Sequence, residues 1–430
     1  MSADTSRRDF LKTTAIAGGV LAAELATLGN THAQQNDGTI RVGLVGCGNR
    51  GTAAIEQCLR ADSNVRLVAV ADAFRDRAES CLTRLRGNAA VRDKVDVGAE
   101  CTFIGLEGYQ QVIRNSDLVL LATPPGFRPL HIRAAIAARK HLFAEAPVAV
   151  DAPGVRAVLA AYDDAQRQGL TVVAGTQRRY QTGYLRTIER LRDGAIGNIT
   201  AGRCYWNQGA QWHRERDAAM TDVEWQIRNW PYFAWLSGDH IVDQHVHNLD
   251  IMNWAIGAHP TRCVGTGGRQ VRTAGHFGHI FDHFAVDYTY PNDVHVQSMC
   301  RQMAGCDNNV SEALTGTRGT CLSIANAHTY RISGERPWFL VREQDNEPYQ
   351  AEHVALFESI RGRRPRVNNL HQAAESTLTA IMGRMAAYTG KEVTWEQALN
   401  SQQTLMPERL TWDTRMPVPA VAVPGVTELQ

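Results

Sequence analysis

The stretch that decides the fold is residues 42–51, Val-Gly-Leu-Val-Gly-Cys-Gly-Asn-Arg-Gly, near the start of the chain. Its first four residues are typical of a buried strand, and a helical pattern begins within it. Gly46 allows a tight turn, Gly48 lets the backbone approach a diphosphate, and Gly51 lets the helix pack on the strand. The stretch predicts a dinucleotide-binding turn, and the alternative is a glycine-rich turn without a ligand. The predicted cofactor-binding residues here are Gly46, Gly48, Asn49, Arg50 and Gly51.

Short apolar runs alternate with helical patterns from residue 38 to residue 176. Strands that alternate with helices imply a parallel sheet covered on both faces, so we expect an α/β fold with a doubly wound Rossmann domain over residues 38–176. The predicted strands are 40–45, 65–71, 118–122, 142–144 and 170–174, and the predicted helices are 52–59, 75–85, 130–138 and 153–166.

Asp72 ends the second predicted strand, about 20 positions after the last glycine of the turn, where a carboxylate accepts from the ribose hydroxyls of a dinucleotide. A carboxylate there repels a 2′-phosphate, so the sequence favours NAD. Arg75 lies close in sequence and offers that phosphate a partner, so NADP stays open as the alternative.

Composition and charge restrict the partners. The chain has 430 residues, a net charge of +1 and a pI of about 7.7. No polyanion is implied by this balance, so nucleic acid is not expected as a partner. The nine cysteines are an odd number, and Cys47 lies inside the glycine turn, where a disulfide would obstruct a diphosphate. We therefore expect most cysteines to be small core residues.

The chain begins with features of an export leader. Two adjacent arginines, Arg7 and Arg8, precede Phe-Leu-Lys and a mostly apolar stretch, and Ala33 ends a small-residue cleavage pattern. Residues 1–33 are therefore predicted to be a twin-arginine signal peptide, with the protein periplasmic or otherwise exported. The apolar stretch is too short for a membrane span, and no later segment is apolar enough. Free dinucleotide is scarce outside the cytoplasm, so we expect the cofactor to be loaded before export and held tightly.

Three further segments carry a family resemblance: residues 122–125 (Ala-Thr-Pro-Pro), 145–147 (Glu-Ala-Pro) and 243–247 (Asp-Gln-His-Val-His). With the glycine turn and Asp72, they resemble the Gfo/Idh/MocA family of sugar and cyclitol oxidoreductases. The resemblance extends over most of the mature chain and is strongest to the exported, twin-arginine members.

The resemblance implies the second domain and several site residues. It implies a substrate-binding and oligomerisation domain of α+β type over residues 177–430, with a large open, mainly antiparallel sheet whose one face covers the nicotinamide. It also implies a homodimer or homotetramer, paired through the outer face of that sheet. The implied cofactor-binding residues are Thr123, Pro124, Pro125 and Glu145, and the implied substrate-facing pair is Asp243 and His247.

Position 146 departs from the family pattern. Members that oxidise or reduce sugars carry Lys there, which polarises or deprotonates the reacting hydroxyl, and this chain has Ala146. A methyl group has no proton to give and no charge to stabilise an alkoxide. The acid–base work must therefore be done by other residues, or be lost.

The densest polar cluster of the chain is residues 237–250, Ser-Gly-Asp-His-Ile-Val-Asp-Gln-His-Val-His-Asn-Leu-Asp. Positions four apart share a helix face, which predicts Asp239, Asp243 and His247 on one face. We expect His247 to be the general base or acid, because imidazole exchanges protons near neutral pH, and Asp243 to orient it or raise its pKa. The alternative is a set of buried polar residues that tie the helix to the sheet.

A metal site is a competing interpretation of the same segment. His240, His245, His247 and Asp243 are suitable ligand types. Residues 245 and 247 point away from each other on a helix, however, and no His-Glu-x-x-His spacing occurs. We therefore predict no metal here, and keep His245 as a candidate substrate contact.

Two further groups point to the substrate. Arg178 and Tyr180 follow the last predicted Rossmann strand, at the carboxyl edge where ligands bind, although a helix start with exposed arginines would look the same. Tryptophans gather between residues 205 and 235, and indole faces stack on sugar rings, although large aromatics are also common in cores. The predicted substrate-contacting residues are Arg178, Tyr180, Trp206, Trp230 and His245.

The remaining sequence predicts a hairpin and two helices. Residues 284–290 and 294–301 alternate in polarity around a Pro-Asn-Asp turn. Residues 349–361 and 371–388 have helical patterns, the second ending near Gly390. The tail after residue 411 is rich in proline and predicts an extended arm.

Three hypotheses of function follow. The first is an exported oxidoreductase that acts on a hydroxyl of a sugar, glycoside or cyclitol with tightly held NAD or NADP. The second keeps the cofactor but cleaves a glycoside through transient oxidation, and Ala146 motivates it because acid–base duties must be redistributed. The third, from the same substitution, is a sugar-binding protein that has lost catalysis.

Overall fold

The computed structural model describes residues 38–429, so the predicted leader at 1–33 lies outside the described residues. The strands of the first sheet are β1 (Ile40–Val45), β2 (Val65–Asp72), β3 (Thr102–Ile104), β4 (Leu118–Leu121), β5 (His141–Glu145) and β6 (Val172–Gly175). They lie in the order β3-β2-β1-β4-β5-β6, and all neighbours are parallel. The predicted doubly wound sheet is confirmed, with its change of strand order between β1 and β4.

Helices cover both faces of this sheet. They are α1 (Asn49–Ala61), α2 (Arg75–Gly87), α3 (Gly108–Asn115), α4 (Arg128–Ala137) and α5 (Ala152–Gln168). Side chains alternate along a strand, so Leu118 and Leu120 pack with α1 and α2, whereas Val119 and Leu121 pack with α3, α4 and α5. The sequence did not predict β3 and α3. The three residues of β3 are half-buried at the edge of the sheet and give no clear apolar run.

The second sheet is open and mainly antiparallel. Its strands are β7 (Ile199–Gln208), β8 (Arg262–Gly268), β9 (His283–Tyr290), β10 (Val294–Gln302), β11 (Asn309–Gly316), β12 (Gly319–Ile324), β13 (Thr329–Gly334), β14 (Trp338–Leu340) and β15 (Val393–Thr394). They lie in the order β14-β13-β12-β11-β7-β10-β9-β8-β15, and only the β7–β10 pair is parallel. The predicted hairpin is β9 and β10, in which Tyr290 pairs with Val294.

Eight further helices follow the first sheet in the described chain. They are α6 (Thr182–Arg192), α7 (Asp222–Arg228), α8 (Ala234–Ser237), α9 (His240–Asp243), α10 (Val246–Ile256), α11 (Pro348–Ile360), α12 (Leu370–Thr389) and α13 (Trp395–Asn400). One of them, α11, packs back on the first sheet. The long helix α12 is buried along most of its length and packs on β8 and β9. Its approach is close, since a Cβ at Gly383 would lie 2.0 Å from the Tyr288 hydroxyl. As predicted, α12 ends at Gly390, whose φ of 70° suits glycine.

The two faces of the second sheet differ. One face is covered by helices and carries buried side chains such as Cys263, Val286 and Cys300. The opposite face has exposed apolar residues, Val264, Met299 and Phe339, among charged ones. Among residues 38–429 no helix packs over this outer face, which is a mixed surface of apolar and charged groups.

The chain returns to the first sheet near its C-terminus. Leu356 and Phe357 of α11 belong to the same apolar cluster as β1 and α1. Arg361, just after α11, forms an ion pair of 2.6 Å with Asp62 at the end of α1. The Val172 N–H donates to the Val367 carbonyl at 2.9 Å, so this returning chain also pairs with β6. The first sheet therefore shares its core with residues distant in sequence.

The cysteines agree with the expectation that most of them are small core residues. All nine thiols are free, and seven are buried among apolar side chains. They therefore serve as small core residues. Within residues 38–429, every helix is too short or too polar to cross a bilayer.

Candidate active site

The glycine turn is shaped by two close approaches. Gly46 has a φ of 95°, and a Cβ there would lie 2.7 Å from the backbone of Ala122. A Cβ at Gly51 would lie 1.8 Å from the carbonyl oxygen of Gly46. Both positions therefore need glycine for steric reasons. At Gly51 the reason is that the first turn of α1 packs on the glycine turn itself.

Gly48 needs glycine for a different reason. A Cβ there would meet no atom within 4 Å, so the space in front of this residue is open. Gly48 is the N-cap of α1 and gives no side-chain cap, so the first N–H groups of the helix face this space without a side-chain acceptor. A diphosphate fits this cradle, because helix N-termini bind anions through such groups.

A single cleft of about 710 Å³ runs from this turn to the second sheet. It brings together most of the residues predicted for the site. The predicted residues that line it are Gly46, Gly48, Asn49, Arg50, Gly51, Asp72, Thr123, Pro124, Glu145, Trp206, Trp230, Asp243 and His247. Pro125, by contrast, is buried in the turn before α4 and does not line the cleft.

Asp72 lies where a ribose is expected, at the end of β2. Its two carboxylate oxygens accept from the backbone N–H groups of Cys47 (2.7 Å) and Phe74 (2.9 Å). Burial raises its pKa. The arginine beside it in the cleft is Arg77, whereas Arg75 does not line the cleft and forms an exposed pair with Glu79 at 3.7 Å. The structure therefore does not place Arg75 in the cleft, where Arg77 lies instead.

An ion pair joins the glycine turn to the end of β5. Arg50 Nε donates to Glu145 Oε1 at 2.6 Å, and its guanidinium lies 4.6 Å from the centre of the Tyr349 ring. Glu145 is buried and ends β5. Ala146 follows Glu145 directly and also lines the cleft. The part of the cleft that is expected to hold the nicotinamide therefore begins at this ion pair.

Arg128, which sequence reasoning missed, lies in the wall of this region. It is the first residue of α4, and its side chain is buried. It donates to the carbonyl oxygen of Pro147, while its Nε has no hydrogen-bond partner. Burial lowers its pKa to about 10, so it stays charged at neutral pH, and the carboxylates of Glu145 and Asp243 act on it in the opposite direction. An arginine before a proline gives no sequence signal of such a role.

The segment that carries Asp243 and His247 is broken rather than one continuous helix. Helix α9 ends at Asp243, and α10 begins at Val246. Asp239 has a φ of 73° and caps α9, and its Oδ2 accepts from the Phe281 N–H at 2.8 Å. Asp239 is fully buried, so the predicted common face with Asp243 and His247 is wrong. The latter two side chains do line the cleft together.

The protonation of this pair also differs from the expectation. Burial raises the pKa of Asp243 to about 7, and the charge of Arg128 opposes that rise. Burial lowers the pKa of His247 to about 3, and the charge of Arg178 lowers it further. Asp243 therefore does not raise the pKa of His247 as expected. The group that exchanges a proton near neutral pH is the carboxyl, and the imidazole is neutral.

Neither side chain is held by the protein. Within residues 38–429, neither the Asp243 carboxyl nor the His247 ring makes a hydrogen bond or an ion pair to another side chain or backbone group. The His247 ring centre lies 6.0 Å from the Trp206 ring. Both polar groups are therefore available to a substrate in the cleft.

His245 does not reach the cleft, although it was a candidate substrate contact. It is fully buried, and its Nε2 lies 2.7 Å from Ser298 Oγ. Burial lowers its pKa to about 3, so it is a neutral group that ties α10 to β10. His240 is also buried; neither of its ring nitrogens forms a hydrogen bond within residues 38–429, and its Nε2 lies 4.0 Å from Asp239 Oδ1.

Arg178 and Tyr180 also lie outside the cleft. Arg178 forms a buried ion pair with Glu312 of β11, which also accepts from the Tyr184 hydroxyl at 2.6 Å. The Tyr180 hydroxyl accepts from Asn369 at 3.2 Å. Arg178 therefore ties the chain after β6 to the second sheet, whereas Tyr180 packs on the apolar cluster of the first sheet.

An irregular segment at the mouth of the cleft, residues 209–221, brings further aromatic and basic groups. Trp212 and Arg214 line the cleft beside Trp230. The segment is held by Asn229, whose side chain accepts from the Arg214 N–H at 2.7 Å, and by the Tyr232 hydroxyl, which donates to the Trp212 carbonyl at 2.8 Å.

His213, Glu215 and His276 form the group in the described chain whose ligand atoms are close enough to share a cation. The two imidazole rings are stacked, with centres 4.1 Å apart and planes 6° from parallel. A metal binds in the plane of an imidazole ring, and one ion cannot lie in two parallel planes that are separated. With the rings stacked in this way, His213 and His276 do not both direct a ring nitrogen at one ion.

Family models match both sheets. A model of the Gfo/Idh/MocA oxidoreductase family, described as an NAD-binding Rossmann fold, matches residues 40–175. A model of the Gfo/Idh/MocA C-terminal domain matches residues 184–322. The two matches together cover more than half of the chain.

Three relatives illustrate the similarity in sequence. The inositol 2-dehydrogenase of Cereibacter sphaeroides is 32% identical over 154 residues, which are 36% of this chain and 41% of that enzyme. The inositol 2-dehydrogenase of Acidothermus cellulolyticus is 27% identical over 70% of this chain and 77% of its own length. A glycosyl hydrolase family 109 protein of Streptomyces coelicolor is 28% identical over 43% of this chain and 36% of its own length. The chain thus spans about two-fifths of the first of these relatives.

Two solved structures share the fold. The aldose-aldose oxidoreductase of Caulobacter crescentus, solved with glycerol, has a TM-score of 0.66 and 17% identity, over 83% of this chain and 99% of its own. A levoglucosan dehydrogenase, in complex with NADH and levoglucosan, has a TM-score of 0.64 and 15% identity over the same shares. The family models and both sheets lead to one conclusion: the chain belongs to the Gfo/Idh/MocA family of oxidoreductases with an NAD-binding Rossmann fold.

Proposed function

We propose that the protein transfers a hydride between NAD and a hydroxyl-bearing carbon of a sugar, glycoside or cyclitol. The observation that carries the proposal is the cleft, which joins the diphosphate cradle at Gly48 to the unbonded side chains of Asp243 and His247. When bound, NAD supplies the acceptor or donor of the hydride. The protein supplies the positions of the partners and moves the hydroxyl proton.

We assign the proton transfer to Asp243 and a hydrogen-bonding role to His247. With a pKa of about 7, the Asp243 carboxyl changes its protonation state near the pH at which a general base is most useful. The neutral imidazole of His247 donates from one nitrogen and accepts at the other, which suits a substrate hydroxyl. In this assignment Asp243 takes the proton from the hydroxyl that is oxidised.

The substrate class rests on the walls of the cleft and on the relatives. Trp206, Trp212 and Trp230 line the cleft, and indole faces stack on the C–H faces of sugar rings. Two of the relatives are inositol 2-dehydrogenases, and one fold relative is a levoglucosan dehydrogenase. Both lines favour a polyhydroxylated ring over a small acid.

The test combines native mass spectrometry with a substrate panel. The purified protein should carry or bind NAD, and a panel of cyclitols, aldoses and glycosides should give a change in NADH absorbance with at least one member. Asp72→Ala should weaken NAD binding, whereas NADP should bind less tightly than NAD to the parent. A protein that binds neither dinucleotide contradicts the proposal. Binding without any turnover, with activity appearing only in Ala146→Lys, would instead identify a sugar-binding protein that has lost catalysis.

A second function is favoured by Ala146 and by the similarity to the glycosyl hydrolase family 109 protein. Here a glycoside hydroxyl is oxidised, the aglycone leaves by elimination, water adds, and the ring is reduced again, so NAD is regenerated in each cycle. Release of nitrophenol from nitrophenyl glycosides without net NADH formation would support this reaction. A stoichiometric keto product that requires added NAD would contradict it.

We further propose that the protein is exported with its cofactor already bound. The arginine pair in the predicted leader motivates this, and the cleft beside the glycine turn is the place where the cofactor would be held. Replacement of Arg7 and Arg8 by lysine should leave the protein in the cytoplasm, as fractionation would show. Export of the double variant at the parent level would contradict the proposal.

We also propose a homodimer or homotetramer that pairs through the outer face of the second sheet. The exposed apolar residues Val264, Met299 and Phe339 on that face support it. Light scattering after gel filtration should give a multiple of the chain mass, and Met299→Lys should shift it towards the monomer. A monomeric parent would contradict this proposal without affecting the others.

A further inference from the structure

The reacting oxygen of a substrate that gives up its proton carries negative charge, so the polarity of the surrounding wall decides how easily the charge forms. Asp243 and Glu145 bring carboxyl groups to this part of the cleft, and His247 is neutral. Ala146 contributes only a methyl group. Without a cation, this end of the cleft would oppose an alkoxide.

Two arginines lie at this level, and only one of them is committed to a carboxylate. The Arg50 guanidinium forms an ion pair with Glu145 at 2.6 Å. Arg128 forms no ion pair with any described carboxylate, and its Nε has no hydrogen-bond partner. Its hydrogen bond to the Pro147 carbonyl places the guanidinium beside the residue that follows Ala146.

A buried and incompletely bonded guanidinium is costly to the folded state. A neutral donor could satisfy the Pro147 carbonyl, whereas a charge taken out of water with free donors costs several kcal/mol in general. Arg128 also lines the cleft, where it interacts electrostatically with Glu145 and Asp243, and its charge opposes the rise in the pKa of Asp243. The free-energy cost of burying this guanidinium is better explained by a role that needs its positive charge than by its hydrogen bond to the Pro147 carbonyl alone.

We propose that Arg128 is a catalytic residue, whose guanidinium donates to the reacting oxygen of the substrate and stabilises the negative charge that forms there. This inference rests on the proposed hydride transfer. In the oxidation direction the hydroxyl proton passes to Asp243 and the hydride leaves the substrate carbon for bound NAD. The C–O single bond of the substrate becomes a carbonyl. Arg128 itself gains and loses no atom or electron, because it acts only by hydrogen bonding and charge. In reduction it polarises the carbonyl.

The first test is steady-state kinetics of Arg128→Met beside Arg133→Met. Arg133 lies on the same helix but is exposed and outside the cleft, so it is a matched control for loss of a positive charge. Arg128→Met should lower kcat by about 10²–10³-fold, the usual effect of losing one oxyanion donor, with NAD affinity within threefold of the parent. Arg128→Lys should also lower kcat, but by a smaller factor, because lysine keeps the positive charge and lacks the fork of donors.

A second variant gives a result that a structural role would not produce. Adding Ala146→Lys to Arg128→Met restores a cation to the same wall, so kcat should recover at least tenfold. A merely destabilised protein would not regain turnover in this way. Thermal unfolding of each variant, compared with the parent, shows whether the fold is intact.

A third measurement does not depend on turnover. Arg50, Arg128, Glu145 and His247 are charged or titratable groups that line the cleft at the level of Asp243. In the NAD-free protein, loss of the Arg128 charge should raise the pKa of Asp243, as followed by NMR of ¹³C-labelled aspartate carboxyls. The Arg133→Met variant should leave that pKa unchanged.

The outcomes separate the two proposals. Parent-like kcat in Arg128→Met, an equal loss in Arg133→Met, or an unchanged pKa of Asp243 would overturn the role of Arg128 and leave the hydride transfer standing. A parent that binds no NAD and turns over no member of the panel would overturn the proposed function, and the role of Arg128 with it.

Discussion

The two ends of the cleft differ in which atoms form the wall. At the glycine turn the wall is backbone, and its shape depends on contacts such as the one between Gly51 and the Gly46 carbonyl. At the segment 237–250 the wall is made of side chains, of which Asp243 and His247 face the cleft while Asp239 and His245 are buried elsewhere. Substitutions at the first end should therefore fail sterically, and those at the second end chemically.

The largest effect should come from Gly51→Ala. The new Cβ would lie 1.8 Å from the Gly46 carbonyl oxygen, where no side chain can move aside. We expect the turn to shift, NAD binding to be lost, and the free energy of unfolding to fall by about 3 kcal/mol or more. Thermal unfolding and a fluorescence titration with NAD measure both. A variant with parent-like values would show that the turn tolerates the displacement.

Asp243→Asn should come next, with kcat lowered by about 10²–10³-fold. The amide has nearly the same shape, so NAD binding should change little. In the parent, the rate of oxidation should rise with pH through about 7, because only the ionised carboxyl accepts the hydroxyl proton. The rising limb should be absent in the variant. If the variant keeps it, another group acts as the base.

The predictability of the two ends differs for a physical reason. A glycine turn is specified locally, because the strand, the turn and the first helical residues are contiguous, and five short apolar segments were enough to anticipate the parallel sheet. The edge strand β3 gave no signal because it is short and half-buried. Backbone geometry that depends on neighbours in sequence can thus be deduced from sequence.

The polar segment could not be resolved in the same way. Its residue types predicted a site, but the helix breaks after Asp243, which rotates His245 towards β10 and leaves His247 on the cleft. Which of two histidines faces a ligand depends on contacts with strands 50 residues away. Arg128 was missed for a similar reason, since its hydrogen bond to Pro147 spans 19 residues and its interaction with Asp243 links the two halves of the chain. The catalytic roles of these residues stay predictions until the variants are measured.

Gly48→Ala should have a smaller and more selective effect than Gly51→Ala. No atom lies within 4 Å of the new Cβ, so the melting temperature should not change. The methyl group would occupy the space in front of α1 where the diphosphate is expected. We predict at least a tenfold rise in the Kd of NAD, measured by isothermal titration. Unchanged affinity would mean that the diphosphate lies elsewhere.

His245→Asn should have the smallest effect on function. The imidazole bonds Ser298 in the interior, so its loss should cost about 1–2 kcal/mol of stability. The kcat/KM should stay within about threefold of the parent, unlike that of His247→Asn, which removes a polar group from the cleft. Equal losses of kcat/KM in the two variants would show that the buried histidine also serves the reaction.

The return of α11 to the first sheet has a consequence for dissecting the molecule. Leu356 and Phe357 complete an apolar interior that also contains Val42 and Leu44. A fragment cut after residue 176 would leave that interior open to water and should aggregate. The intact chain should melt in a single calorimetric transition, since neither half can lose its structure while the other keeps a closed interior. Fusion partners and affinity tags are therefore best attached outside residues 38–429 rather than between the two sheets.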